Sequence, residues 1–303
     1  MDIRDQGERR WLVLRTLLAL MLGLSLLSAV PRAAIAVSRD CQAEIATAQS
    51  VAQKIAAHNA KPHTFRLPAQ ADAYAAYNTE AVQLNNAKAA AVRALDSCKA
   101  ALLARAKALE QAHRELAAGG QVRELSSERR AKIDAVRPSL SGYTPPATPA
   151  VNLPKNSPIA RLKDALRQDN PRWPYENVPL QGKARTNIGD ADAAYAGPGT
   201  KYPNRTIPAV NGEPAVTPDH IYPLVKLVQL PGFTRLTSEN MWRVATGELN
   251  LQWMSRTANW SKGSRGAAAM AGVNPAWQDA QIQLEAQTEA QLRDLIQRLL
   301  ANQ

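Results

Sequence analysis

The chain has 303 residues, more than one compact domain usually holds, so two modules with connectors are expected. Its formal charge of +11 points to an anionic partner, nucleic acid or a membrane surface, without saying which. Both cysteines, Cys41 and Cys98, lie in the N-terminal third, so the C-terminal half cannot build a Cys-type zinc site.

Taken in chain order, the first element is an export signal over residues 1–36. Arg4, Arg9, Arg10 and Arg15 precede an uncharged, Leu-rich run from Thr16 to Val30, and Ala34-Ile35-Ala36 supplies a small-x-small cleavage site. Such a run makes roughly 22 Å of helix, short of the ~30 Å hydrocarbon core of a bilayer. An uncleaved anchor from Trp11 to Val30 is the alternative. In the oxidising compartment that export implies, Cys41 and Cys98 would close a loop and stabilise it by about 4 kcal/mol. Two unpaired thiols are the other reading.

Residues 40–118 are rich in Ala and nearly free of Gly and Pro, a helical composition. One helix is expected over Gln42–Asn59. The segment Lys61-Pro62-His63-Thr64-Phe65-Arg66-Leu67-Pro68 breaks it, and a longer helix then runs to a stop at Gly119-Gly120. Leu95, Leu102, Leu109 and Leu116 recur every seven residues, the row expected on a buried helical seam. Folding the first helix back on the second brings Cys41 toward Cys98. His63 and His113 read as surface or turn histidines.

From Pro138 to Pro158 the sequence turns to Pro, Ser and Thr, which predicts a semi-extended linker and a domain boundary. A short helix follows, with Ser157 as its N-cap, Pro158 in its first position, and Ile159, Leu162 and Leu166 on one face. Residues 171–218 show no period and are expected to be irregular. Glu239-Asn240 marks a helix start. The chain closes on an amphipathic helix from about Pro275 to Ala301 that buries Leu292, Leu295, Ile296 and Leu299. The fold class is therefore α+β, with modules at 37–137 (helical hairpin) and 159–303, joined by 138–158. Charge is uneven between the halves: residues 37–180 carry a net +7 and residues 181–303 only +2.

The chemistry concentrates after residue 217. Asp219-His220-Ile221-x-Pro223 is followed by Asn250-Leu251-Gln252 and then by Asn259-x-x-Lys262. In that order and spacing the three blocks resemble the HNH endonucleases, whose ββα-metal core carries Asp-His on its first strand, Asn on its second and a last His or Asn on the helix. The resemblance covers about 50 residues closely, within a core of 202–266. It implies a phosphodiester hydrolase with Asp219 and Asn259 as metal ligands, His220 as general base and Asn250 holding the imidazole. Lys262, with Arg256 and Arg265, would contact phosphate.

Each residue type suits its role. Asp219 and Asn259 offer hard oxygens, which favour Mg²⁺, with Mn²⁺ or Ni²⁺ as substitutes. Alternation along a strand sends Asp219 and His220 to opposite sides, so the imidazole meets water away from the cation. An ordinary histidine pKa near ~6.5 suits a base at neutral pH. The sequence departs from many family members at Ser255 and Ala258, where zinc-holding cysteines would stand, and no motif asks for an organic cofactor. Trp253, Trp260 and Trp277 are expected to serve packing rather than base stacking.

The segment holding Ala57-His58-Asn59, Pro62-His63-x-Phe65, Ala75-Ala76-Tyr77-Asn78 and Leu84-Asn85 is similar to helical regions ahead of toxin modules in secreted bacterial polymorphic toxins. That similarity implies an exported antibacterial nuclease cutting DNA with low sequence specificity, opposed by a cognate immunity protein. A scavenging extracellular nuclease and a non-catalytic exported protein with a degenerate ββα module are the rival expectations.

Overall fold

The computed structural model describes residues 41–118, 120, 123–167 and 175–303. The expected export signal lies outside the described residues. Among the described residues no helix is long and apolar enough to cross a membrane. The chain mixes many helices with little strand, an α+β protein, and divides into two compact units, Met1–Ala106 and Lys107–Gln303.

In the first unit, α1 (Gln42–Asn59) and the N-terminal part of α2 (Ala71–Ala117) form an antiparallel pair. Two clamps fix their register. At one end Cys41 and Cys98 form a disulfide with a Cα–Cα separation of 6.1 Å. Closing a loop of this length stabilises by about 4 kcal/mol in the chain-entropy account. At the other end Glu80 takes both His58 Nδ1 at 3.0 Å and the Lys61 ammonium. The buried His58 ring stacks on Tyr77 with centroids 4.1 Å apart, and Phe65 packs on Tyr74 and Tyr77. The breaker segment thus forms the turn, and its aromatic residues fasten it. The leucine row is less uniform than its spacing suggests: Leu116 is fully buried, whereas Leu95 and Leu102 are half-buried.

The second unit begins within α2. Its core gathers Ala112 and Leu116 of α2, Ile133 of α3 (Ser127–Val136), Leu162 and Leu166 of α4 (Pro158–Leu166), and Leu292, Ile296 and Leu299 of the last helix. Two glycines allow the end of α2 to meet the chain after Thr246. A Cβ at Gly120 would stand 1.9 Å from Glu248 Oε1, and one at Gly247 would stand 2.8 Å from the Leu116 carbonyl.

The division between units is not where the proline-rich stretch predicts it. Residues 138–158 belong to the second unit: Leu140 is buried, Tyr143 and Leu153 pack on the core, and the Gln229 amide bonds both the N–H and the carbonyl of Ala150. Proline stops a helix from propagating but leaves the chain free to bury its neighbours.

The sheet content consists of two small antiparallel ladders, β1 (Ala209–Val210) with β2 (Glu213–Pro214), and β3 (Val216–His220) with β4 (Leu251–Ser255). Between β3 and β4 lie a short turn of helix, α5 (Leu224–Leu227), and α6 (Ser238–Thr246). After β4 come α7 (Arg256–Lys262) and α8 (Pro275–Asn302). Side-chain caps open the helices around this ladder. Ser157 accepts from Ala160 N, Thr237 from Asn240 N, Ser255 from Ala258 N and Asn274 from Trp277 N, each worth ~1 kcal/mol.

Candidate active-site cleft

β3 and β4 pair Asp219 with Gln252 and His220 with Leu251, and Ser255 ends β4 while capping α7. The result is a strand–strand–helix unit that brings sequence-distant residues together. Thr217, Asp219 and His220 of β3 and Asn259 of α7 line one cleft of about 650 Å³, together with Lys163 of α4 and Arg167 just beyond that helix.

His220 and Asp219 leave the strand on opposite sides, as alternation requires. The imidazole turns to α6, where its Nε2–H donates to the Ala245 carbonyl at 2.8 Å. That carbonyl is in the last turn of α6 and has no helical donor to satisfy it. The bond fixes the tautomer: with the proton on Nε2, Nδ1 carries the lone pair, and no described residue claims it. Burial pushes the imidazole pKa below its ordinary value and Lys262 adds to this, while the Ala245 carbonyl and Asp219 pull the other way.

Asp219 turns to α7. Its carboxylate is buried, and Oδ2 accepts from the Lys262 ammonium at 2.7 Å. Lys262 is 1% exposed and donates also to the His220 carbonyl. The expected phosphate contact from Lys262 is therefore corrected: its charge is spent beneath the cleft on Asp219. Arg256 and Arg265 are exposed but do not line the cleft, and the Arg265 guanidinium donates to the Ser261 carbonyl.

Asn250 also differs from expectation. Its side chain does not reach His220; Oδ1 accepts from Tyr222 N at 2.7 Å and Nδ2 donates to Tyr222 O at 3.0 Å. It ties the segment after β3 to the start of β4, and the Ala245 carbonyl does the work assigned to it. No local signal in the sequence marks a backbone carbonyl as the partner.

Two residues with oxygen donors of the kind a hard divalent ion takes line the cleft. Asp219 Oδ1 takes no hydrogen bond from any described residue, and the half-buried Asn259 carboxamide faces the same cleft. Among the described residues, the group of His, Cys, Asp and Glu close enough to share an ion is Cys41, Glu44 and Cys98, whose sulfurs are already joined to each other.

Lys163 and Arg167 escaped the sequence reading. Lys163 stands on the polar side of α4 and Arg167 at its C-cap, and their four-residue spacing was the available signal. Trp260 differs too: it is 84% exposed, whereas Trp253 and Trp277 pack on small clusters. Glu239 opens α6 and pairs with Arg130 and Arg243. Comparison with protein-family models, with curated proteins and with solved structures gave no match.

Proposed function

We propose that the chain is an exported, metal-dependent HNH-type endonuclease that hydrolyses DNA phosphodiester bonds with low sequence specificity. The observation that carries this reading is His220: a histidine with its Nε2 proton held by the Ala245 carbonyl and its Nδ1 lone pair free, beside a carboxylate and a carboxamide in one cleft. A water bonded to Nδ1 gives up its proton as its oxygen attacks phosphorus. The resulting imidazolium keeps its Nε2–H on Ala245 O, which stabilises the proton it has gained. The depressed pKa keeps the imidazole neutral, and so basic, at pH 7. A divalent ion bound at Asp219 and Asn259 would neutralise charge on the phosphoryl group and the leaving oxygen.

The Cys41–Cys98 disulfide supports an oxidising, exported setting. With little base readout, such a nuclease suits a toxin whose producer carries an immunity protein, the partner proposed here. Plasmid nicking in Mg²⁺ tests the activity. His220→Ala should cut the rate about 10²–10⁴-fold, the usual size of general-base catalysis. Equal rates in both proteins, or none in either with Mg²⁺, Mn²⁺ and Ni²⁺, would end the reading. The Lys262–Asp219 pair favours a second one, in which the carboxylate is already neutralised and the ββα unit only binds nucleic acid or a protein. Absence of nicking with retained DNA binding would select it.

A further inference from the structure

Two cations enter the cleft from outside the strand–strand–helix unit. Lys163 sits in the last turn of α4 and Arg167 is the extended residue at its C-cap, and both line the cleft with Asp219, His220 and Asn259. Asp219 is the one acid among the described lining residues, and the buried Lys262 already matches its charge. Among the described lining residues the positive charge of Lys163 and Arg167 therefore has no counterpart.

The bland explanation is that cations near a helix C-terminus merely complement its dipole. Two features exceed it. Arg167 is exposed, and its guanidinium makes no hydrogen bond or ion pair with any described residue. Lys163 touches Asp164 Oδ1 at 2.7 Å, but that carboxylate is 63% exposed, and such pairs contribute little. The helix presenting them is firmly held. Ser157 caps it, Ile159, Leu162 and Leu166 are buried, and Arg129 donates to the Ala165 carbonyl at 3.2 Å.

We infer that Lys163 and Arg167 bind the phosphate neighbouring the one attacked at His220, so that the cleft selects a polynucleotide strand over a single phosphate ester. This rests on the nuclease reading of the His220 site and names its substrate class. Arg167 presents the fork that grips phosphate oxygens through two parallel bonds, and Lys163 adds a compact charge. Contacts of this kind follow backbone, not base, and are weakened by salt.

Two measurements on the full chain test it. Binding of a labelled duplex oligonucleotide is followed by fluorescence anisotropy in the His220→Ala background, with and without Lys163→Ala/Arg167→Ala. The double change should weaken binding at least ~10-fold at low salt and make the log–log salt dependence shallower by about 1, as the loss of one neutralised phosphate requires. The charge-keeping pair Lys163→Arg/Arg167→Lys should retain the steep dependence, and equal melting temperatures exclude misfolding as the cause. In proteins retaining His220, the ratio of plasmid cleavage to bis(p-nitrophenyl) phosphate hydrolysis should fall at least ~10-fold on losing both cations. Unchanged affinity and salt dependence would overturn the inference, as would an unchanged ratio. Wild-type protein that binds through these cations yet cleaves neither substrate would sink the nuclease reading while leaving the phosphate contact standing.

Discussion

Replacing Lys262 by Met separates the role its sequence position suggests from the role its burial imposes. A solvated phosphate-binding lysine could be lost with little effect on stability. Lys262 is instead 1% exposed, with its ammonium on Asp219 Oδ2 at 2.7 Å and on the His220 carbonyl. Its removal strands a buried carboxylate and leaves a buried carbonyl unpaired. Breaking a buried pair on one side costs about 3–5 kcal/mol. For a unit the size of Lys107–Gln303, each kcal/mol lowers the melting temperature by roughly 2–4 °C, so Lys262→Met should melt roughly 6–20 °C below wild type. The double variant Asp219→Asn/Lys262→Met removes both charges and should recover much of that loss. Thermal unfolding followed by circular dichroism at fixed pH and salt reads both effects. If Lys262→Met melted within ~2 °C of wild type while losing DNA affinity, the buried-pair account would be wrong and Lys262 would be a surface phosphate ligand after all.

Asn250→Ala should act through stability first: it deletes two buried hydrogen bonds to Tyr222 and is expected to cost about 2–4 kcal/mol in a denaturant titration. Glu248 sets a pH dependence. It is 3% exposed, Oε1 has no hydrogen-bond partner among the described residues, and burial raises its pKa to about 6 from the model-compound value of 4.5. The folded state thus binds the proton more tightly than the unfolded one, so this group's stabilising contribution is complete below pH 4.5 and is lost as pH rises through about 6. Glu248→Gln should therefore exceed wild type by about 2 kcal/mol at pH 8 and by little at pH 4, measured by urea unfolding at each pH.

Signals that act over one helical turn or one loop were legible in the sequence. The breaker between α1 and α2, the Ser157-Pro158 start of α4, the helix start at Glu239-Asn240 and the Cys41–Cys98 closure all depend on neighbours in the chain or on one loop length. The stretch 138–158 was not, because its composition reports what proline forbids locally and is silent on Gln229, which reaches Ala150 from far along the chain. The heptad leucines show the same limit. Spacing puts Leu95, Leu102 and Leu116 on one stripe, but only Leu116 meets a partner surface that covers it fully.

In the candidate site the motif order located the wall of the cleft and misassigned its charges, for a geometric reason. Asn259 and Lys262 are three positions apart on α7, nearly one turn, so the sequence gives both the same outlook. A long lysine stem, however, lets its ammonium travel away from its own Cα, and here it goes beneath the strand to Asp219 while Asn259 stays at the surface of the cleft. Once that charge is consumed, the strand–strand–helix unit lines the cleft with no unpaired cation. The further cations that line it, Lys163 in the last turn of α4 and Arg167 at its C-cap, come from elsewhere in the fold, where no motif confined to residues 219–262 can contain them.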